Sequence, residues 1–202
     1  MPPVEVPSQL VAAAVGGDRQ ALEELLGVKV STVSKYAQTI GQAPSSVTVL
    51  TAADIRTFGY RTFADVLNAV RGVYVTNDHT YDFFGFRGFG RSGDYNGRVL
   101  VLVDGNRINE NIFSGAGLGT DFPLDLELID PVEFASGPGS AIYGNNALFG
   151  VVNVVTRKPG ANRAEAVVDV GSNGTRRLLG TWSGKLAGGT SILLSASGYA
   201  SD

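Results

Sequence analysis

Two periods of apolar residues run along this chain, and they separate it into segments of different kinds. At the helical period, Phe63, Val66, Leu67 and Val70 fall at i, i+3, i+4 and i+7 and mark one apolar face. Thr62 and Asp65 form a capping box ahead of that face, and Thr51 with Asp54 repeats the device before another short helix. Gly72 is placed to stop the helix, and Val73–Val75 resumes as strand. Val47–Leu50 and Val99–Val103 also read as strands. The second is apolar at every position, which predicts a central strand buried on both faces. Asp104-Gly105 predicts a tight hairpin turn, with Arg107-Ile108 beginning the return. Nearer the start, Asp18 is placed to cap a helix over Arg19–Leu26 that Gly27 ends. Residues 1–17 read as a loose leader. Val28-Lys29-Val30-Ser31-Thr32-Val33 is extended and β-branched with no obvious partner strand, and Ser34–Ser46 reads as a flexible connection.

The stretch Ile129–Lys158 is the most patterned. A short apolar strand (Val132–Phe134) meets a Gly137-Pro138-Gly139 turn, then a Ser140–Tyr143 segment and a Gly144-Asn145-Asn146 break. A second apolar strand, Gly150–Thr156, runs into the basic exit Arg157-Lys158-Pro159. Beyond Pro159 the period changes to two. Ala164–Val170, Arg176–Leu186 and Ser191–Tyr199 are strand-like segments separated by Gly-Ser-Asn or Gly-Gly turns. Ala166, Val168 and Val170 alternate with Glu165 and Asp169, while Ile192, Leu194 and Ala196 alternate with Ser191, Ser195 and Ser197. Such alternation over about ten residues suits the wall of a membrane barrel. An antiparallel hairpin laid on a soluble core has the same pattern.

Composition narrows the classes. Glycine is frequent, 27 of 202 residues, which favours tight turns and close backbone approaches over a helical bundle. A net charge of −3 leaves no basic field for nucleic acid. Without cysteine, and with His79 as the one histidine, disulfides, thiolate metal sites and multi-histidine sites are excluded, and no metal or cofactor is expected. No run approaches the roughly 18 apolar residues that a membrane helix needs. Met1-Pro2-Pro3 lacks a basic region, so Leu10–Val15 makes a poor signal peptide.

Gly88-Phe89-Gly90-Arg91-Ser92-Gly93 spells G-x-G-x-x-G, so a soluble nucleotide-binding enzyme domain is one rival reading. It requires a helix directly after Gly93, and the sequence there offers none. His79 lies among Asp78, Tyr81 and Asp82 in a polar stretch without ligand spacing. No Ser-His or paired-carboxylate arrangement stands out, so no catalytic residue is assigned. Tyr81, Phe83, Phe84, Phe86 and Phe89 form a dense aromatic run. Phe84 and Phe86 are expected in the core, whereas rings at a loop tip would face a ligand.

Taken in order, several segments resemble the plug domain of TonB-dependent outer-membrane receptors. These are VTVLTAADI from Val47, FADVLNAVRGVYV from Phe63, Phe86-Arg87-Gly88 and VLVLVDGNRIN from Val99. Gly137-Pro138-x-Ser140-Ala141-x-Tyr143-Gly144 and Gly150–Thr156 complete the set. Two positions depart from the pattern. Asp130-Pro131 and Ser136 stand where relatives usually carry arginines associated with carboxylates on the barrel wall.

The resemblance implies an α+β fold: a plug with a small mixed sheet and short helices, followed by the first antiparallel strands of a transmembrane β-barrel. It divides the chain into a leader at 1–45, a plug at 46–159 and barrel strands at 160–202. Arg87, Gly88, Asp104, Gly105, Gly137, Pro138, Tyr143 and Gly144 would carry the plug's structural motif. The implied location is the cell outer membrane, with the plug inside the barrel lumen and facing the periplasm. The implied role is gating the energised uptake of a scarce small molecule or metal chelate such as a siderophore or cobalamin. It is not an enzymatic role. A plug-like module that binds without transport is the other alternative. Thr76–Phe83 and Asn109–Asp121 would be outer loops, with Asn77, Asp78, His79, Tyr81, Asp82, Phe83, Asn109, Glu110, Asn111 and Phe113 facing the ligand. Phe89–Gly97 would face the periplasm. Val28, Lys29, Val30, Ser31, Thr32 and Val33 resemble a TonB box, which would add as a strand to TonB, itself driven by ExbB and ExbD. A linker or an edge strand fits the same six residues. An exported receptor needs a signal peptide, and a barrel of about 22 strands needs far more than residues 160–202 supply. The sequence is therefore expected to be a piece of a longer protein.

Overall fold

The structure, a computed structural model, describes residues 16, 18–20, 29–30, 38–39, 45–160, 162–186 and 188–201. It divides into two compact units, Met1–Thr156 and Arg157–Asp202. Most of the expected Arg19–Leu26 helix lies outside the described residues. Its cap is present, with the Gln20 N–H donating to Asp18 Oδ1 at 2.9 Å.

In the first unit, β1 (Lys29–Val30) pairs antiparallel with β2 (Gln38–Thr39). This corrects the expectation of an unpaired segment at two of its positions, while Val28 and Ser31–Val33 lie outside the described residues. β3 (Val47–Leu50) leads into α1 (Ala52–Phe58), and α2 (Phe63–Asn68) follows. Both helices open on complete capping boxes, Thr51 with Asp54 and Thr62 with Asp65, which satisfy N–H groups that would otherwise lack partners. α2 stops at Asn68, before Gly72 and earlier than expected, yet Phe63, Val66, Leu67 and Val70 are all buried.

β4 (Val73–Asn77) and β5 (Asp82–Phe86) form an antiparallel hairpin. The expected outer loop Thr76–Phe83 is therefore half strand, with residues 78–81 alone as turn. No helix follows Gly93, as a dinucleotide site would require; residues 93–98 are turn and lead into β6 (Val99–Val103). β7 (Asn106–Arg107) returns through the Asp104-Gly105 turn, and β8 (Ile129–Ser136), α3 (Ser140–Tyr143) and β9 (Gly150–Thr156) complete the unit. The five-stranded sheet has the order β3-β8-β9-β6-β7, so β9 holds the centre and β6 lies beside it.

Alternation along β6 explains its unbroken apolar run. Val99 and Val101 join the main core with Phe63, Leu67, Phe84, Phe134 and Val152, while Leu100 and Leu102 join a second core with Ala147 and Val151. Asp104 clasps the end of β9: its carboxylate accepts the Thr156 N–H at 2.8 Å and the Thr156 hydroxyl at 2.6 Å. Asp130, at one of the two departures, accepts the Ala52 N–H at 3.2 Å and so helps seat α1. Ser136, at the other, donates to the Ser46 carbonyl at 3.2 Å.

The second unit is a three-stranded antiparallel sheet of β10 (Arg163–Val170), β11 (Arg176–Lys185) and β12 (Ser191–Ala200) in sequential order. Its register aligns Ala164 with Trp182 and Leu194, Ala166 with Gly180 and Ala196, and Val168 with Leu178 and Gly198. Those residues share one face, which is almost wholly apolar. The opposite face carries Glu165, Asp169, Arg177, Thr181 and Ser195, with Arg177 paired to Asp169 at 2.9 Å. Val168, Val170, Leu178 and Leu194 are exposed on the apolar face.

Candidate functional site

Three separate segments of the first unit meet at the tip of the β4–β5 hairpin. The first is the 78–81 turn. Asn77 Oδ1 accepts the His79 N–H at 2.7 Å, and its amide donates to Asp82 at 2.9 Å. Asp78 Oδ1 accepts from Thr80 at 3.0 Å and Tyr81 at 2.8 Å. These N–H groups, Tyr81 first and Thr80 next, hold the Asp78 carboxyl below its ordinary range. His79 adopts a left-handed φ of 74° and lies in the open turn.

The second segment leads from β5 to β6. After Arg87 and Gly88, the Phe89 carbonyl pairs back onto Phe86, and the chain then returns beside β5. This requires glycine at position 90, because a Cβ there would lie 2.6 Å from the Gly85 Cα. The segment ends at Tyr95 and Asn96, both left-handed (φ 46° and 64°), close to where β5 begins. The Phe89–Gly97 loop is thus not confined to the far end of the domain. It starts there and finishes beside Tyr81, because its backbone follows β5 back to the hairpin tip.

The third segment is the Asn109–Asp121 loop. The Glu110 carboxylate accepts N–H groups from Ile112 and Phe113 at 2.6 Å each and from Gly115 at 3.0 Å. Its pKa is lowered, chiefly by the Gly115 N–H. Gly115 is needed for the fit, since a Cβ would sit 2.8 Å from the Tyr95 carbonyl oxygen.

The result is a row of rings. Tyr95 lies 6.3 Å from Tyr81 edge-on and 5.8 Å from Phe113 in a stacked arrangement. The three rings are 48%, 50% and 71% exposed for Tyr81, Tyr95 and Phe113 respectively, and Ile112 beside them is open too. Buried asparagines hold the row from below. Asn96 accepts from the Phe84 N–H at 2.7 Å and donates to the Asp82 and Ala116 carbonyls. Asn109 and Asn146 both donate to the Ser114 carbonyl, at 3.1 and 2.9 Å. Asn146 also accepts from Arg107, which ties this loop to the break after α3.

Of the residues read as ligand-facing, Tyr81 and Phe113 are in the row. Asn77, Asp78, Asp82 and Glu110 build the turns that carry it, while His79 and Asn111 are exposed alongside. Two placements are corrected: Phe83 and Asn109 are buried. Strand pairing turns Phe83 inward, and the Asn109 amide is consumed by the backbone of β6 and Ser114. Sequence reading missed Tyr95, Ile112, Asn96 and Asn146. The Asn96-Gly97 dipeptide was the one local signal that Tyr95 abuts a turn. Among the motif residues, Asp104 clasps β9, Arg87 donates its N–H to the Gly72 carbonyl at 2.8 Å, and Gly88, Gly137 and Gly144 take positive φ.

Among the described residues, no group of three or more His, Cys, Asp or Glu side chains is arranged to hold a metal ion. A family model described as TonB-dependent Receptor Plug Domain matches residues 39–151. The iron-regulated outer membrane virulence protein of Vibrio cholerae serotype O1 (strain ATCC 39541 / Classical Ogawa 395 / O395) is 33% identical over 151 residues, covering 73% of this chain and 22% of the relative. The vitamin B12 transporter BtuB of Vibrio vulnificus (strain CMCP6) is 34% identical over 143 residues, covering 68% of this chain and 22% of the relative. The fold is similar to that of Pseudomonas aeruginosa FpvA, solved with heterologous pyoverdines. That match has a TM-score of 0.69 at 23% identity and covers 85% of this chain and 22% of FpvA. The chain therefore spans about a fifth of the length of the curated relatives it matches.

Proposed function

The chain belongs to the TonB-dependent receptor plug domain family, and from that premise we propose that it gates an outer-membrane receptor that imports a scarce ligand with energy delivered through TonB. One observation carries the reading. Directly after the plug sheet, the chain enters a sheet whose exposed face is apolar in register on all three strands. Water disfavours such a face, whereas the hydrocarbon of a bilayer favours it. On this reading residues 46–159 are the plug, 160–202 begin the barrel wall, and the chain has no catalysis of its own. One relative is named a vitamin B12 transporter, and FpvA was solved with an iron complex of pyoverdine, so cobalamin and iron chelates are our candidate cargoes.

Tyr81, Tyr95 and Phe113, with His79 and Asn111 at their side, are our candidates for the ligand-facing surface. Val28–Val33 is the candidate TonB contact. Lys29–Val30 pairs with Gln38–Thr39 along one edge, and TonB would take the segment as an added strand along the other edge or in place of that pair.

The test is uptake by cells carrying or lacking the complete receptor gene that contains this segment. Radiolabelled ferric siderophores and cyanocobalamin are supplied with and without a protonophore. Loss of energised uptake of one of them in the deletion, restored by the gene and abolished by the protonophore, supports the reading. Unchanged uptake of every compound, or uptake by the receptor that ignores the protonophore, overturns it in favour of a binding module without transport.

A further inference from the structure

One charge interrupts the apolar face of the second unit. Along β11 that face reads Trp182, Gly180, Leu178 and Arg176, and the residues aligned with Arg176 are Val170 and Ala200. β11 is the middle strand, so both neighbours of Arg176 on this face are already in place, and neither carries a charge. The Arg176 side chain is exposed, and among the described residues it makes no ion pair. The unit's other arginines differ: Arg157 and Arg163 are paired with Glu165, and Arg177 is paired with Asp169.

A guanidinium cannot shed its charge. Beside an apolar surface it lays its stem along that surface and carries its head to the edge. Trp182 marks the opposite edge. Its ring lies over Gly184, where a Cβ would sit 2.6 Å from Trp182 Cζ2. Gly184 lies eight residues along β11 from Arg176, about 27 Å at a rise of about 3.4 Å per residue. A strand tilt of about 40° turns that length into a height of roughly 20 Å, and the apolar band of an outer-membrane barrel is about 25 Å tall with aromatic residues at its borders. On the receptor reading, Arg176 therefore stands at the depth where lipid headgroups carry their phosphates.

We infer that Arg176 binds the phosphate of an anionic lipid headgroup at the border of the apolar face. Its forked N–H donors match the phosphate oxygens. A zwitterionic headgroup brings its own cation to the same depth, so a headgroup of net negative charge is preferred. This inference rests on the receptor reading above and adds the class of lipid that the wall recognises.

The test uses the complete receptor in phosphatidylcholine vesicles. Ala200→Cys, introduced as the only cysteine, carries a fluorophore beside Arg176. Phosphatidylglycerol and phosphatidylcholine, bearing the same nitroxide high on one acyl chain, are added in turn, and quenching gives the preference for each. The anionic lipid is expected to be enriched at the site. Arg176→Gln should reduce that preference about fivefold, the effect of one basic residue at a charged membrane surface. Lys185→Gln, at the other end of β11 and on its opposite face, should leave it unchanged. So should Asp202→Asn, which removes the one carboxylate that follows Ala200 in the sequence. Inorganic phosphate should not compete.

The proposal is overturned if the unaltered receptor shows no preference, if Arg176→Gln keeps it, or if either control changes it as much. It is also overturned if inorganic phosphate abolishes the preference, which would mark a site for free anions. Arg176 is exposed, and an unchanged circular dichroism spectrum verifies the folding of each variant. Oxygen accessibility along β10 is measured separately. An oxygen maximum at Val168 without a lipid preference rejects the headgroup site and leaves the receptor reading standing.

Discussion

Val152 and Val168 are both valines in regular strands of antiparallel pairs, yet the first has 0% of its surface exposed and the second 69%. The surroundings of each explain the difference. Val152 sits at the centre of a five-stranded sheet covered by α2 and the aromatic residues Phe84 and Phe134. Val168 is aligned with Leu178 and Gly198 on a face that continues as alanine, tryptophan and leucine with nothing polar to interrupt it except Arg176 at one end. A strand buried in protein and the strand we propose for a lipid wall use the same residue types. They are told apart by the opposite face. β9 is apolar on both faces save Asn153, whose side chain accepts the Gly105 N–H at 3.0 Å, and Thr156 at its end. β10 alternates with ionised groups, Glu165 accepting from Arg157 at 2.7 Å and Asp169 from Arg177 at 2.9 Å.

Substitutions break this comparison in graded ways. Val152→Arg places an unpaired charge at the centre of the plug sheet. It should cost well over about 4 kcal/mol, enough to abolish the cooperative denaturation transition of the first unit. Phe63→Ala removes a fully buried ring stacked on Phe122 at 4.0 Å and should cost about 3–5 kcal/mol in the same measurement. Val168→Arg should leave that transition untouched and instead weaken membrane insertion of the complete receptor by about 2–4 kcal/mol if the position lies near the bilayer midplane. Denaturant titration in lipid vesicles measures it. Thr62→Ala removes one cap from α2 and should cost about 1 kcal/mol.

The smallest expected effect is one of pH. Asp78 and Glu110 have folded pKa values below their ordinary ones, so the stability they lend the two turns is fully present above the ordinary carboxylate range. It is lost as pH falls through the lower folded values. Both groups are open to solvent, so the loss should appear locally, as collapse of the Tyr95–Phe113 ring-current shifts in proton NMR below about pH 4, while the core resonances persist.

Features set by neighbours along the chain were legible from sequence. The two capping boxes, the Asp104-Gly105 turn, the strand-turn-strand of Ile129–Thr156 and the alternation after Pro159 depend on residues within a few positions of one another. The site was legible only in part. Tyr95 joins Tyr81 because the backbone doubles back along β5, a long-range path that Gly90 permits and no local period records. Phe83 and Asn109 sit in polar stretches but are drawn inward by strand pairing and by backbone groups in need of partners. Asn96 and Asn146 look like turn residues in sequence. Only the fold brings the Asp82, Ala116 and Ser114 carbonyls to their amides.

The most direct test of the central comparison is a nitroxide scan of Glu165 to Asp169, with Val152 as reference, through single introduced cysteines in the complete receptor in lipid. Collision with oxygen, which concentrates in lipid, should peak at Ala166 and Val168. Collision with a water-soluble nickel chelate should rise at Glu165 and Asp169, and Val152 should be shielded from both. Equal accessibility along the strand, or a chelate maximum at Val168, would contradict the assignment of this sheet to a membrane wall.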